Sequence, residues 1–470
     1  MIRFLLACLF AVTATALFAQ SEDNPFSTPI PANQDVVTVN FTEFARIPDD
    51  ADGKAPRLMH MITEPGTARL FVSVMTGKLY SISYDGKTVT EYLDTNAANW
   101  NVQVMSAFSE RGVQSFTFHP QFNQVGTPGY GKFYTYIDTS NTTPQPDYVS
   151  GGERRSHDTV LLEWTARTPA AAVYDGGAPR QLFRAAQPYL NHNGGEIAFN
   201  PLATPGTPGA DDYGLLYVGL ADGGSGGDPL NSAQDLGKYF GKILRIDPLG
   251  NNSANGQYGV PASNPFVADG DPATLGEIYA YGVRNPQRFN WDSQTGQLLL
   301  AEIGQNQVEE ISPVTAGANL GWNAWEGSFR FNSGGIDISN PRSDPALTWP
   351  IVEYDHNDPL FVRQVAITGL AVYRQNEIPQ LQNKLIFGDN PSGELFYVNA
   401  DANLNGGQSE IRRILLNAGG SAKTLLQVIQ AKNSEQKRDP ATRADLRFGY
   451  GPNGQIFLLN KQDGFIRLLK

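Results

Sequence analysis

The chain is almost without cysteine: of its 470 residues only Cys8 carries a thiol, and it lies in an apolar opening stretch. A disulfide framework and a cysteine-ligated zinc or haem site are therefore excluded. Charge is also sparse. Charged residues make up 17%, Lys+Arg number 35 against 47 Asp+Glu, and the net charge is -12 with no basic run. Nucleic acid and anionic lipid both demand clustered Lys/Arg, so neither is expected as a main partner. Histidine, the residue that titrates near neutrality, occurs five times. Heptads, long helical stripes and apolar runs beyond the opening stretch are absent, which argues against coiled coils and membrane spans.

What is abundant is turn chemistry: 48 Gly and 31 Pro, with 11% aromatic residues. Gly and Pro punctuate strands and break helices, so the composition is that of a β protein. Residues 1–19 read as a secretory signal, with Arg3 as the positive start and Phe4 to Phe18 as the apolar core. About 15 apolar residues fall short of the ~20 that span a bilayer. Cleavage is expected between Ala19 and Gln20, which places the mature protein in the periplasm or outside the cell. Residues 20–35, polar and with several prolines, read as an extended leader, and 36–470 as one domain.

A strand–turn–strand pattern recurs through that domain. It runs Arg69–Val72 with Gly77–Tyr80, Gly131–Tyr134 with Thr159–Trp164, and Gly214–Val218 with Gly241–Ile246. Then follow Gly296–Leu300 with Glu309–Ile311, Asn383–Phe387 with Gly393–Val398, and Gly454–Leu459 with Gly464–Leu468. The copies are spaced more widely than the ~40–50 residues of a compact blade, so insertions on one face are expected. Period-2 alternation suggests half-buried strands. The expected fold is all-β: a six-bladed β-propeller of four-stranded antiparallel sheets, with a pair of β-sandwiches as the alternative. Helix is expected only in short loop segments such as Asn231–Phe240.

Three segments break the strand grammar. Asn191-His192-Asn193-Gly194-Gly195-Glu196 offers an imidazole in a glycine loop, where a ligand can approach closely; the competing reading is a turn histidine with a structural hydrogen bond. Leu220-Ala221-Asp222-Gly223-Gly224 puts a carboxylate at a strand end, able either to orient an imidazole or to cap its own turn. Tyr281-Gly282-Val283-Arg284-Asn285-Pro286 places a guanidinium and an amide after a strand, suited to a planar anion or to a surface salt bridge. His60 and His119 read as structural.

These segments, with Ala318-Asn319-Leu320-Gly321-Trp322, stand in the order seen in soluble glucose/sorbosone dehydrogenases, and the chain resembles that family over nearly its whole length. The resemblance implies a six-bladed propeller that binds pyrroloquinoline quinone (PQQ) and Ca²⁺ and oxidises an aldose sugar or similar alcohol. It implies His192 as general base, Asp222 as the carboxylate orienting it, and Arg284 and Asn285 at the cofactor. The backbone carbonyls of Gly304 and Gln305 would bind calcium, which asks for oxygen whatever the side chain, although the family often has Pro at the position of Gln305. Arg443 and Arg447 are the candidates for the PQQ carboxylates. No Cys-x-x-Cys-His haem motif occurs, so electrons would leave to a separate soluble or membrane acceptor.

The chain departs from the family in three places. Glu110 stands where some relatives have glutamine. Asp389-Asn390-Pro391-Ser392 stands where the best-known members carry a quinone-contacting lysine. Thr442-Arg443-Ala444-Asp445 replaces an Arg-x-Arg-Asp. These departures favour a second reading, a ligand-binding propeller that has lost the cofactor. A third, a calcium-dependent hydrolase on a similar propeller, would need a carboxylate cage at the axis.

Overall fold

The structure is a computed structural model that describes residues 24–470 except 109, 151–155, 208, 334 and 363. The expected signal segment lies outside the described residues. Strands dominate, and the only α-helix among the described residues is Leu425–Glu435.

Consecutive strands pair antiparallel in runs of four. The first run is Leu58–Thr63, Arg69–Val74, Lys78–Ser83 and Val89–Asp94. The next begin at Val113–Phe118, Ile197–Phe199, Pro286–Trp291 and Ile367–Tyr373. The last takes Arg447–Tyr450, Ile456–Leu459 and Phe465–Leu469 from the C-terminal end and completes itself with Phe41–Arg46, register Phe41↔Leu469. Every strand pair that the sequence pattern picked out is an adjacent antiparallel pair in these sheets.

The middle strands are buried on both faces rather than half-buried, as in Leu216–Leu220 and Leu298–Glu302. The cause is stacking of successive sheets face to face, as neighbouring residues show. Phe133 packs with Phe71 of the preceding sheet and Phe116 of its own, whereas Tyr134 packs with Val218 of the following sheet. Tyr217 and Leu300 enter the next layer, and Leu299 the one after, with Phe387. Ile386 then packs with Leu458, and Phe457 with Val72 of the first run. Alternation persists, but between two apolar layers instead of core and solvent, which makes the architecture propeller-like.

The segment Asn231–Phe240, expected to be helical, is a chain of turns. Asp228 ties it down by accepting from the Ser232 and Ala233 amides at 2.9 and 2.8 Å, an Asx-type alternative to helical bonding. The true helix starts at a capping box, Thr424 with Gln427, and buries Leu425, Val428 and Ile429. Residues 24–35, expected to be extended, run through bends and a turn and are docked: Ile30 is buried, and its amide donates to Asp358 at 2.6 Å.

Candidate active site

His192, Asp222, Arg284 and Gly304 come from different loops, yet the sheets bring them to one place. The His192 loop lies directly on the neighbouring strand. A Cβ on Gly195 would sit 2.1 Å from the Gly219 carbonyl oxygen, so only glycine permits this approach. His192 itself takes a left-handed φ of 56°. The next residue anchors the turn, with Asn193 Nδ2 donating to His157 Nε2 at 2.7 Å.

Asp222 Oδ1 lies 2.7 Å from His192 Nδ1, and Arg284 Nη2 lies 2.8 Å from His192 Nε2. A guanidinium only donates, so Nε2 must accept, and the single imidazole proton resides on Nδ1 and is donated to Asp222. The arrangement therefore fixes both tautomer and ring plane. Asp222 is buried and holds two further donors, the Gly224 amide on Oδ1 and Trp322 Nε1 on Oδ2, each at 2.9 Å. Arg284 is buried rather than on the surface. It donates from Nη1 to the Ile303 carbonyl at 2.9 Å and from Nε to Gln305 Oε1 at 3.2 Å, and it stacks over Trp322 at 5.6 Å. Glu302 accepts from the Arg284 amide.

His192, Arg284, Gly304 and Gln305 border a cavity of about 380 Å³, which Asn285, Arg443 and Arg447 also line. Every site residue expected from sequence thus lines one cavity except Asp222, which stands behind His192. Three contributors were not foreseen. Lys461, in the turn after Ile456–Leu459, joins the wall, so a lysine is present although Pro391 and Ser392 occupy the family's lysine position. Ser392 instead donates from its amide to Asp389 Oδ2 at 2.9 Å. His356 is the second, its Nε2 lying 2.6 Å from Glu309 Oε1. Burial pulls the His356 pKa down, but the bond and charge of Glu309 outweigh that and raise it. Trp322 is the third, through Asp222. Its motif was visible in the sequence, and its indole N–H had no role there.

The cavity is cationic. Arg284, Arg443, Arg447 and Lys461 face only Glu110 and Asp445 among the lining acids. Arg443 is tethered, donating to Asp445 at 3.0 Å and to Asn390 Oδ1 at 3.2 Å. Arg447 Nε is buried without a partner among the described residues. Burial and the neighbouring Arg288 charge pull the Arg447 pKa down to about 9, and burial with the Arg447 charge pulls Lys461 well down. Crowded, desolvated cations of this kind are relieved by an anion. A planar polycarboxylate such as PQQ fits that donor set. Glu110 opposes it, but its Oε2 is engaged by the His192 amide at 2.9 Å. The Gly304 and Gln305 carbonyls accept no hydrogen bond from a described residue, which suits a hard cation. Among the described residues no three His, Cys, Asp or Glu side chains gather at metal-ligand spacing.

Comparison with known proteins is consistent with this geometry. The HIPL1 protein of Arabidopsis thaliana is 28% identical over 374 residues, covering 70% of this chain and 50% of the relative. The chain thus spans about half the length of the curated relatives it matches first. Among solved structures, the soluble aldose sugar dehydrogenase of Escherichia coli in its apo-form superposes with a TM-score of 0.62 at 18% identity, covering 92% of this chain and 99% of the other. The PQQ-bound aldose sugar dehydrogenase of Streptomyces coelicolor gives 0.54 at 18% identity, over 91% and 96% of the two chains. At that identity the structures share the fold. The glucose / sorbosone dehydrogenase family model matches residues 54–420, and the chain belongs to that family.

Proposed function

We propose that this protein is an exported, PQQ- and Ca²⁺-dependent dehydrogenase that oxidises an aldose sugar or similar alcohol and passes the electrons to a separate carrier. The observation that carries the reading is the His192 Nε2 lone pair, held by Asp222 on one side and placed beside Arg284 in a cationic cavity. Six runs of four strands, separated by six apolar layers, support a six-bladed count.

Oxidising a carbinol removes a proton from oxygen and a hydride from carbon. His192 Nε2, the ring nitrogen whose lone pair the Asp222 bond leaves free, takes the proton as general base. The substrate hydroxyl competes with Arg284 for that lone pair, so its arrival frees the guanidinium to face the anion that develops nearby. Asp222 acts through His192: its carboxylate balances the imidazolium charge, and Trp322 and Gly224 hold it in place. Arg443, Arg447 and Lys461 would hold the PQQ carboxylates, Asn285 would bond the ring edge, and the Gly304 and Gln305 carbonyls would hold calcium. Bound there, PQQ supplies the hydride acceptor and Ca²⁺ polarises its carbonyl. The Met1–Ala19 segment supports export, where such a cofactor meets extracellular sugars.

Glu110 favours a second reading, in which the propeller binds a ligand without catalysis, because a carboxylate at the rim repels a tricarboxylate. One titration separates the two. PQQ with Ca²⁺ is added to the purified protein, cofactor binding is followed by absorbance, and dye reduction is measured across a sugar panel. Binding with sugar-dependent dye reduction is expected, and His192→Ala should abolish turnover with PQQ still bound. Failure to bind PQQ would overturn the enzyme reading.

A further inference from the structure

Between the third and fourth strands of the run beginning at Pro286, the chain inserts a small three-stranded sheet of Trp325–Glu326, Phe329–Asn332 and Gly335–Asp337. The insert carries Phe331 against Trp322, the ring centroids lying 4.9 Å apart. Beside it lies a second cavity of about 590 Å³, walled by Gly226, Gly227, Gln305, Asn323, Phe331 and Ser333.

We infer that this annex is a carbohydrate subsite, holding a sugar unit beyond the one that is oxidised. Three observations lead there. First, Gln305 lines both cavities, so the annex shares a wall with the inner site. Gln305 Oε1 is held by Arg284 Nε at 3.2 Å and by the Gly227 amide at 3.1 Å. Its Nε2 is thereby turned over Gly226, where an added Cβ would lie 3.3 Å away. A proline, the family's frequent residue at this position, has no such amide. Secondly, the annex wall carries no charged side chain, whereas the inner cavity holds four cations. A neutral, hydroxyl-rich ligand matches the outer space and an anionic cofactor the inner one. Thirdly, Phe331 presents an aromatic surface above a glycine floor, with a Cβ on Gly227 falling 3.3 Å from Phe331 Cε1. The apolar C–H face of a pyranose suits such a surface while its hydroxyl rim meets the Gln305 and Asn323 amides. The inner cavity, at the small end of the ~300–1,000 Å³ range for ligand sites, leaves little room for more than the cofactor and one reacting ring.

The inference rests on the sugar-oxidising reading for its biological sense, but its test does not depend on turnover. Methyl glycosides have a blocked anomeric carbon and serve as unreactive probes. Methyl maltoside, methyl cellobioside and methyl glucoside are titrated into the full-length protein, with and without PQQ and Ca²⁺, following tryptophan fluorescence and heat. At least one disaccharide glycoside should bind roughly tenfold more tightly than methyl glucoside, the factor given by about 1.4 kcal/mol of added contact. Phe331→Ala should erase that difference and leave methyl glucoside affinity unchanged. Phe331→Tyr should keep it, and the melting temperatures of both variants establish that they fold. Equal affinity for all three probes, no binding of any, or a preference that survives Phe331→Ala would overturn the annex. A disaccharide preference lost in Phe331→Ala, without dye reduction on any free sugar, would keep the annex and refute the oxidising function instead.

Discussion

Replacing Asp222 by Asn tests the geometry at its most constrained point. The carboxylate accepts three hydrogen bonds, from His192 Nδ1 at 2.7 Å and from the Gly224 amide and Trp322 Nε1 at 2.9 Å. An amide has one oxygen and one NH₂, and all three partners donate, so neither orientation satisfies the site. With the NH₂ toward Trp322, two N–H groups oppose each other and the indole is pushed off. With the NH₂ toward His192, the imidazole proton moves to Nε2 and collides with Arg284 Nη2, only 2.8 Å away. Losing a hydrogen bond to a charged group costs about 1.5–3 kcal/mol, and stranding a buried donor about 1–3 more. At roughly tenfold per 1.4 kcal/mol, kcat should fall at least ~10²-fold. It should approach the ~10⁴-fold seen where a base is held in the wrong tautomer if the second orientation prevails. Steady-state dye reduction measures the rate. Because the chain has only five histidines, selective ¹⁵N-histidine labelling resolves the tautomer directly, as Nδ1–H for His192 in the parent and Nε2–H or a mixture in the variant. A kcat within threefold of the parent together with an unchanged His192 tautomer would refute the reasoning.

Two other outcomes follow from charge. Glu110→Gln keeps an oxygen for the His192 amide, which Glu110 Oε2 accepts at 2.9 Å, while removing a negative charge from the rim. PQQ affinity by absorbance titration should rise severalfold, and an unchanged or weaker affinity would show that Glu110 does not repel the cofactor. The second outcome concerns stability against pH. Burial raises Asp389 and Glu196 each to about 7 from model-compound values of 3.8 and 4.5. The folded protein holds these protons up to about pH 7, while the unfolded chain releases them near pH 4. Stability contributed by the protonated forms is therefore lost as pH rises through that window, by at most about 3–4 kcal/mol per group. The melting temperature should be lower at pH 8 than at pH 5.5, and Asp389→Asn should flatten part of the decline. A melting temperature that rises over this interval would contradict the assignment.

The strand pairs were legible because aromatic and β-branched residues such as Phe133-Tyr134 and Phe387 carry their periodicity locally. Two-sided burial was not legible, since an apolar run such as Leu298-Leu299-Leu300 reads alike whether it meets one neighbour or two. The Asn231–Phe240 turns escaped because their organising bonds come from Asp228, outside the segment. In the site, His192, Asp222 and Arg284 could be picked out because glycine-flanked polar residues after strands are conspicuous. Lys461 could not, because Asn460-Lys461-Gln462-Asp463 is indistinguishable from an ordinary hairpin turn, and its arrival at the cavity depends on the whole sheet succession. His356 likewise has its partner, Glu309, in a different strand, and Trp322 looks like any core aromatic until its N–H is seen to point at Asp222.

The pairing of Phe41–Arg46 with Phe465–Leu469 has a consequence for the order of assembly. This seam joins segments separated by almost the entire domain, and its sheet presents Arg447 and Lys461 to the cavity. Glu110 and His192, by contrast, are in place early in the chain. The inner site therefore cannot exist on a partly synthesised chain; it appears only when the final strand docks. Long-range closure of this kind is slow, and a ligand gripped from both sides of the seam acts as a latch on it. Loading the cavity should thus slow unfolding more than it speeds folding, and loss of the last strand should abolish ligand binding before it dissolves the remaining sheets.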